Sequence, residues 1–211
     1  MRKCLIGIAV LAAAAVGLPG TAVRAMAQPP TGDAVSCELH FWPSTAAVTS
    51  NYSGVGGLAG ALLAGPRPQS QGALISDLPP EAQAEALRQI DLAGLLRMPN
   101  LRLIPEQAGS AVRPNRRGPR LTGSTAPCYA ELIVDYVGYS SHITAGRKFG
   151  ARYWLRRYLD GSGVAEVQNG GKDVRLRAYP ARAPEGHPAG LVELRNAFGQ
   201  TTEGFLRNKI R

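Results

Sequence analysis

Ten residues from Cys128 to Val137 (CYAELIVDYV) alternate with a period of two, the pattern of a strand whose two faces meet different surroundings. Cys128, Ala130, Leu132, Val134 and Tyr136 share the face expected to point inward, and Tyr129, Glu131, Ile133 and Asp135 the face expected to point out. Gly138 to Gly146 supplies a turn, and Lys148 to Leu159 (KFGARYWLRRYL) returns with the same period. Phe149, Ala151, Tyr153 and Leu155 fall on its inner face, with Arg152, Trp154, Arg156 and Tyr158 on the outer one. A hairpin this long cannot stand alone in water and must bury its apolar side under other elements.

Those elements can be read on either side of it. Ser36–Trp42 (SCELHFW) alternates as a short strand that Pro43 stops, placing Cys37, Leu39 and Phe41 opposite Glu38, His40 and Trp42. Residues 44–76 are rich in Gly, Ala, Ser and Thr and read as a loop. Pro79 and Pro80 open a helix with Glu81 in its first turn and Ala82, Ala86, Leu87 and Ile90 on one stripe. Leu92–Arg97 is a helical turn, Leu101–Ile104 a short strand, and 106–127 an Arg-rich loop. After Gly161, Gly163, Gly170 and Gly171 a third strand is expected at Asp173–Tyr179. A helix from Pro188 closes the chain and presents Leu191, Leu194, Phe198, Phe205 and Leu206 to the sheet. The order β-α-β-β-β-α predicts an α+β fold over 36–211, one domain with a mostly antiparallel sheet and helices on one face.

The first residues bound the compartment. Arg2 and Lys3 precede an uncharged apolar run of fourteen residues, Leu5–Leu18, which Pro19 and Gly20 interrupt; Ala25-Met26-Ala27 then offers a small-x-small site. This is the build of a secretory signal peptide over 1–27, cleaved before Gln28. The run falls short of the ~20 residues a membrane span requires, so no transmembrane span is expected in the processed chain. Cys4 lies ahead of the apolar run, where a lipoprotein's cysteine would not be. Residues 28–35, with two prolines and a glycine, read as a mobile leader. Periplasmic or secreted localisation follows. In such an oxidising compartment the remaining cysteines, Cys37 and Cys128, form a disulfide as a rule, the alternative being two unpaired buried thiols.

CELHFWP at 37–43 and CYAELIVD at 128–135 resemble the characteristic segments of an uncharacterised family of exported proteins from sphingomonad-type Alphaproteobacteria. The resemblance implies export and pairing of the two cysteines, and no activity. The element order is also similar to the periplasmic α/β domains of the Tol–Pal translocation protein and of auxiliary lipoproteins of envelope lipid transporters, an analogy of architecture alone.

Chemistry is sparse. Serine-hydrolase GxSxG, HExxH and phosphate-binding Walker patterns are absent, and no catalytic residue, metal site or cofactor is predicted. His40 has Glu38 two residues away on its strand face, with Trp42 beyond, so these three are weak candidates for a base oriented by a carboxylate, as in a hydrolase. Glu131 and Asp135 lie about 13 Å apart along a strand, too far for paired carboxylate chemistry on a glycosidic bond. Arg152 and Arg156 share that spacing, so cross-strand ion pairs account for all four. Arg152, Trp154, Arg156 and Tyr158 together form a candidate ligand or partner face. Residues 28–211 carry 21 of the 24 Lys and Arg and all 15 acidic residues, a net +6. Arginines at 113, 116, 117 and 120 could meet anionic envelope polymers or lipids, whereas export removes nucleic acid as a partner. Gly56, Gly60 and Ala64 in Gly54–Pro66 repeat every four residues, a spacing that permits close helix packing, in a segment too short to span a membrane. The expectation is a non-enzymatic accessory or interaction domain of the envelope, contacting a protein partner, with an anionic glycan or lipid headgroup as the alternative ligand.

Overall fold

A computed structural model describes residues 36–52, 70–108, 118–142, 144–158 and 165–209. The expected signal peptide, leader, Gly54–Pro66 segment and Arg113–Arg117 lie outside them. The long hairpin is present as β4 (Cys128–His142) and β5 (Gly146–Tyr158), paired antiparallel along their whole length. β6 (Ala165–Leu176) continues the meander on the far side of β5. On the other side of β4, two six-residue strands lie end to end: β1 (Cys37–Trp42) along its first half and β2 (Ala47–Tyr52) along its second. β3 (Arg102–Pro105) flanks β1, so the order is β3-β1-β4-β5-β6 with β2 also on β4.

The fold is α+β, but the sheet is mixed rather than mostly antiparallel. β1 runs parallel to both β3 and β4, and β2 runs parallel to β4. Parallel neighbours require a crossover, and here three helices lie in the connection: α1 (Gln71–Asp77), α2 (Pro80–Arg88) and α3 (Leu92–Leu96). Two further differences have local causes. β2 and α1 both form within 44–76, where small and polar residues give no clear periodicity; Ser70 caps α1 by accepting a hydrogen bond from Ala73 N. β6 begins at Ala165 and ends at Leu176, instead of running from Asp173 to Tyr179, and so contains Gly170 and Gly171. A Cβ on Gly171 would lie 2.5 Å from the Ala151 carbonyl oxygen, and one on Gly170 would press on the Phe205 ring at 3.4 Å. Close approach, rather than a turn, is what these two glycines serve.

The core lies on one side of the sheet. Leu39, Phe41, Leu132, Val134, Phe149, Tyr153 and Leu155 meet Leu74, Leu87, Leu96, Leu194, Phe198 and Phe205 of the helices, all buried. The closing helix, α4 (His187–Lys209), crosses β5 and β6, with the Phe205 ring stacked on Tyr153 at 5.1 Å. The buried Tyr153 hydroxyl contacts Thr201 Oγ1 at 2.6 Å and accepts from Thr202 at 2.9 Å, while burial pushes its ionisation up. Among the described residues no helix is long and apolar enough to cross a membrane.

At the corner between β1 and β2 the backbone is held by polar contacts. Ser44 Oγ donates to Asp135 O at 3.2 Å, and the fully buried Gln83 of α2 accepts from Ser44 N and donates to Ser44 O and Leu78 O. The β4–β5 register shifts beside this corner, between Val134 and Tyr136. The bulge returns Val137 and Tyr139 to the core and turns Tyr136 outward.

Cys37 and Cys128 are bonded, closing a loop with 91 residues of sequence separation. The chain-entropy model assigns such a loop about 4–5 kcal/mol. The Cys37→Ser/Cys128→Ser double variant is expected to lose stability of that order, read as a lower urea midpoint with a steeper slope, because the unfolded chain expands when the loop is opened.

Candidate binding face

The outer side of the sheet divides at the bulge. On the β1 side of it, Trp42, Tyr129, Glu131, Ile133, Arg156 and Tyr158 are all buried, although strand periodicity assigns them to the face away from the helices. What covers this half is the coil from Gly118 to Pro127. Arg156 Nη1 donates to Glu131 Oε2 at 2.6 Å, both side chains being fully inaccessible. Arg156 Nη2 donates to the carbonyls of Gly118 and Pro119, and Glu131 Oε1 accepts from Leu121 N and the Tyr129 hydroxyl. Arg120 lies over the rings of Tyr129 and Tyr158, 4.5 and 5.6 Å from their centroids, and donates to Ser124 O and Ala126 O. Burial raises the ionisation of both phenols, that of Tyr158 to about 12. Among the described residues the buried Arg156 Nε–H has no hydrogen-bond partner.

Two consequences follow for the expected ligand face. Arg156 and Tyr158 are interior residues that hold the 118–127 coil to the sheet, not contacts for a ligand. Arg152 stays exposed, and the bulge sets Tyr136 rather than Asp135 opposite it, so the expected second ion pair of this ladder does not form in register. Trp154 is half-buried between them.

His40, Glu38 and Trp42 also behave differently from an open catalytic group. His40 is buried, with Nδ1 2.6 Å from Glu106 Oε1 and Nε2 3.2 Å from Glu38 Oε2. Both ring nitrogens therefore face carboxylate oxygens, and neither is open to a substrate. Glu38 accepts further from Ser124 Oγ and Arg102 Nη2. Hydrogen bonds from Ser124, then His40, then Arg102 hold the Glu38 carboxyl at about 2 against its partial burial. Glu106 and Ser124 were invisible to periodicity because both lie in coil. Glu106 is placed by its backbone N–H, which donates to Phe41 O just beyond β3. Among the described residues no group of three or more His, Cys, Asp or Glu is arranged to hold a metal ion.

On the other side of the bulge the outer face is open. Val48 and Ser50 of β2, Tyr136, Gly138 and Ser140 of β4, Gly150 and Arg152 of β5, and Gly171 and Asp173 of β6 line a trough of about 350 Å3. The registers arrange it in rows: Val48, Gly138, Gly150 and Asp173 across the middle, Tyr136, Arg152 and Gly171 on one side, Ser50 and Ser140 on the other. Of these residues, sequence periodicity had singled out Arg152 alone. Tyr136, Gly138 and Ser140 share its face because the bulge shifts the alternation of β4 by one, whereas Gly150, Gly171 and Asp173 lie there by the ordinary period and register of β5 and β6.

No family model matches this chain, and no curated protein does. Among solved structures, the hypothetical protein CT253 from Chlamydia trachomatis is similar at 12% identity, covering 82% of this chain and 99% of that one with a TM-score of 0.36. A second, an uncharacterized protein, is 9% identical over 83% of this chain and 99% of its own, with a TM-score of 0.29.

Two measurements check the covered half. Arg156→Met leaves Glu131 buried without its cation and is expected to cost about 3–5 kcal/mol, whereas Glu131→Leu/Arg156→Met together should recover much of that loss. For Glu38 the folded chain favours the carboxylate, so its contribution is complete above the ordinary 4.5 and is lost as the pH falls toward about 2. Urea midpoints measured through that window should fall less steeply in Glu38→Gln than in the parent.

Proposed function

We propose that the chain is an exported binding domain of a bacterial cell envelope, stapled by one disulfide, that works by recognition rather than by catalysis. The observation that carries this reading is the unequal fate of polar side chains on the two halves of the outer face. The side chains with the chemistry of a base are engaged within the fold: His40 lies between Glu38 and Glu106, and Glu131 is paired with Arg156 beneath the 118–127 coil. Among the described residues, side chains with no hydrogen-bond or ion-pair partner collect instead in the open trough, Arg152 and Asp173 among them.

Export is supported by the apolar run with its small-x-small site and by the Cys37–Cys128 bridge, which belongs to oxidising compartments. An anionic polymer or lipid is the less favoured ligand on charge grounds. Glu131 neutralises Arg156, Arg120 is spent on two rings and two carbonyls, and Arg152 shares its trough with Asp173.

Fractionation of a Gram-negative host expressing the full chain tests the reading. The protein is expected in the periplasmic fraction or the medium, with Gln28 at its amino terminus and no free thiol. A full-length, reduced chain confined to the cytoplasm would overturn export.

A further inference from the structure

The geometry points to the trough over Gly138 and Gly150 as a binding site for an uncharged glycan. This rests on the face being a recognition surface, but not on export.

The floor is the first argument. Gly138 and Gly150 are register partners in the middle of the two longest strands, where glycine weakens pairing and carries no side chain to pack. Packing does not demand glycine at 138: the nearest atoms to a Cβ there are backbone oxygens at 3.6 and 3.7 Å, an ordinary contact distance. What its lack of a side chain provides is depth. At Gly150 a Cβ would lie 2.2 Å from Asp173 Oδ1, so the Asp173 carboxylate reaches across the floor into space that a larger residue would fill. A hollow of about 350 Å3 is at the small end of the range for ligand sites.

The walls give the second argument. Among the described residues neither the Arg152 nor the Asp173 side chain takes part in a hydrogen bond or an ion pair, although both line the same trough. On the covered half, by contrast, Glu131 alone accepts from three groups. A guanidinium offers donors only, a carboxylate acceptors only, and the Ser50, Ser140 and Tyr136 hydroxyls offer both. Opposite charges in one trough cancel, so a polyanion gains nothing from it, while a polyol can accept from Arg152 and donate to Asp173 through neighbouring hydroxyls. The Tyr136 ring adds a flat apolar wall, which suits the C–H face of a pyranose. The trough lies open on the sheet surface rather than enclosing its contents, which fits a segment of an oligosaccharide better than a lone metabolite.

Isothermal titration of the purified, disulfide-bonded protein with chitotriose, maltotriose and trigalacturonate tests this. Binding of at least one neutral trisaccharide is expected, nearly independent of ionic strength and weakened about tenfold or more by Arg152→Ala and by Asp173→Asn. Both residues are exposed, so thermal midpoints of these variants should match the parent. Gly138→Leu, which fills the floor, should abolish binding where it folds. Failure of both neutral sugars to bind, or binding unchanged in both charge variants, overturns the proposal. Preference for trigalacturonate that fades with salt replaces it by an anion site. A sugar-binding protein that stays unprocessed in the cytoplasm would sink the export reading and leave this one standing.

Discussion

Cys37 and Cys128 are register partners as well as bonded partners, and the bond between them decides which way every residue of β1 faces. A strand slipped by one residue exchanges its two faces. In this register Leu39 and Phe41 enter the core while His40 and Trp42 pass to the far side, onto Tyr129 and Ile133. The partner strand carries the constraint further. β4 touches β1, β2 and β5, so its setting against β1 propagates to five of the six strands through β5 and β6.

The second constraint is the bulge beside Asp135. It falls where β1 ends and β2 begins on the opposite edge of β4, and Ser44 joins the two irregularities with one hydroxyl. Its effect is to give a single sheet two unlike outer surfaces. One is dense, with an ion pair and the edge-to-face rings of Tyr129 and Tyr158 sealed under coil; the other is hollow, with glycines at its centre. A strand of unbroken period could not have changed character this way, because the same alternation would have continued along its whole length.

Much of the fold was legible where periodicity is strong. The pairing of β4 with β5, the core side of β5 and of β4 as far as Val134, α2 and the face of α4 follow from spacing alone; past the bulge Tyr136 faces out instead of in, and Gly138–His142, read as turn, continue β4. The directions of β1 and β2 did not, because a six-residue strand looks the same read parallel or antiparallel; its direction is set by the crossover that precedes β4. β6 was obscured by Gly170 and Gly171, which read as loop residues until α4 and Ala151 are seen against them. For the candidate site the result is divided. Spacing leads to cross-strand ion pairs among Glu131, Asp135, Arg152 and Arg156; one of them, Glu131–Arg156, forms, but it is buried although polar residues alternating with apolar ones ordinarily mark a wet face. The 118–127 coil that covers them has no period to announce it. The trough depends on a one-residue shift that local sequence does not encode.

The polar contacts between the layers have a consequence of their own. An apolar stripe such as Leu194, Phe198 and Phe205 can slide or roll on an apolar sheet at small cost, since dispersion and hydrophobic burial have little directionality. Thr201 and Thr202 on Tyr153, Glu193 accepting the N–H groups of Arg177, Ala178 and Tyr179, and Gln83 on the β1–β2 corner do have direction. Together they act as indexing pins, giving the helical layer one angular setting on the sheet, so that the molecule has a single packing arrangement rather than a family of near-equivalent ones.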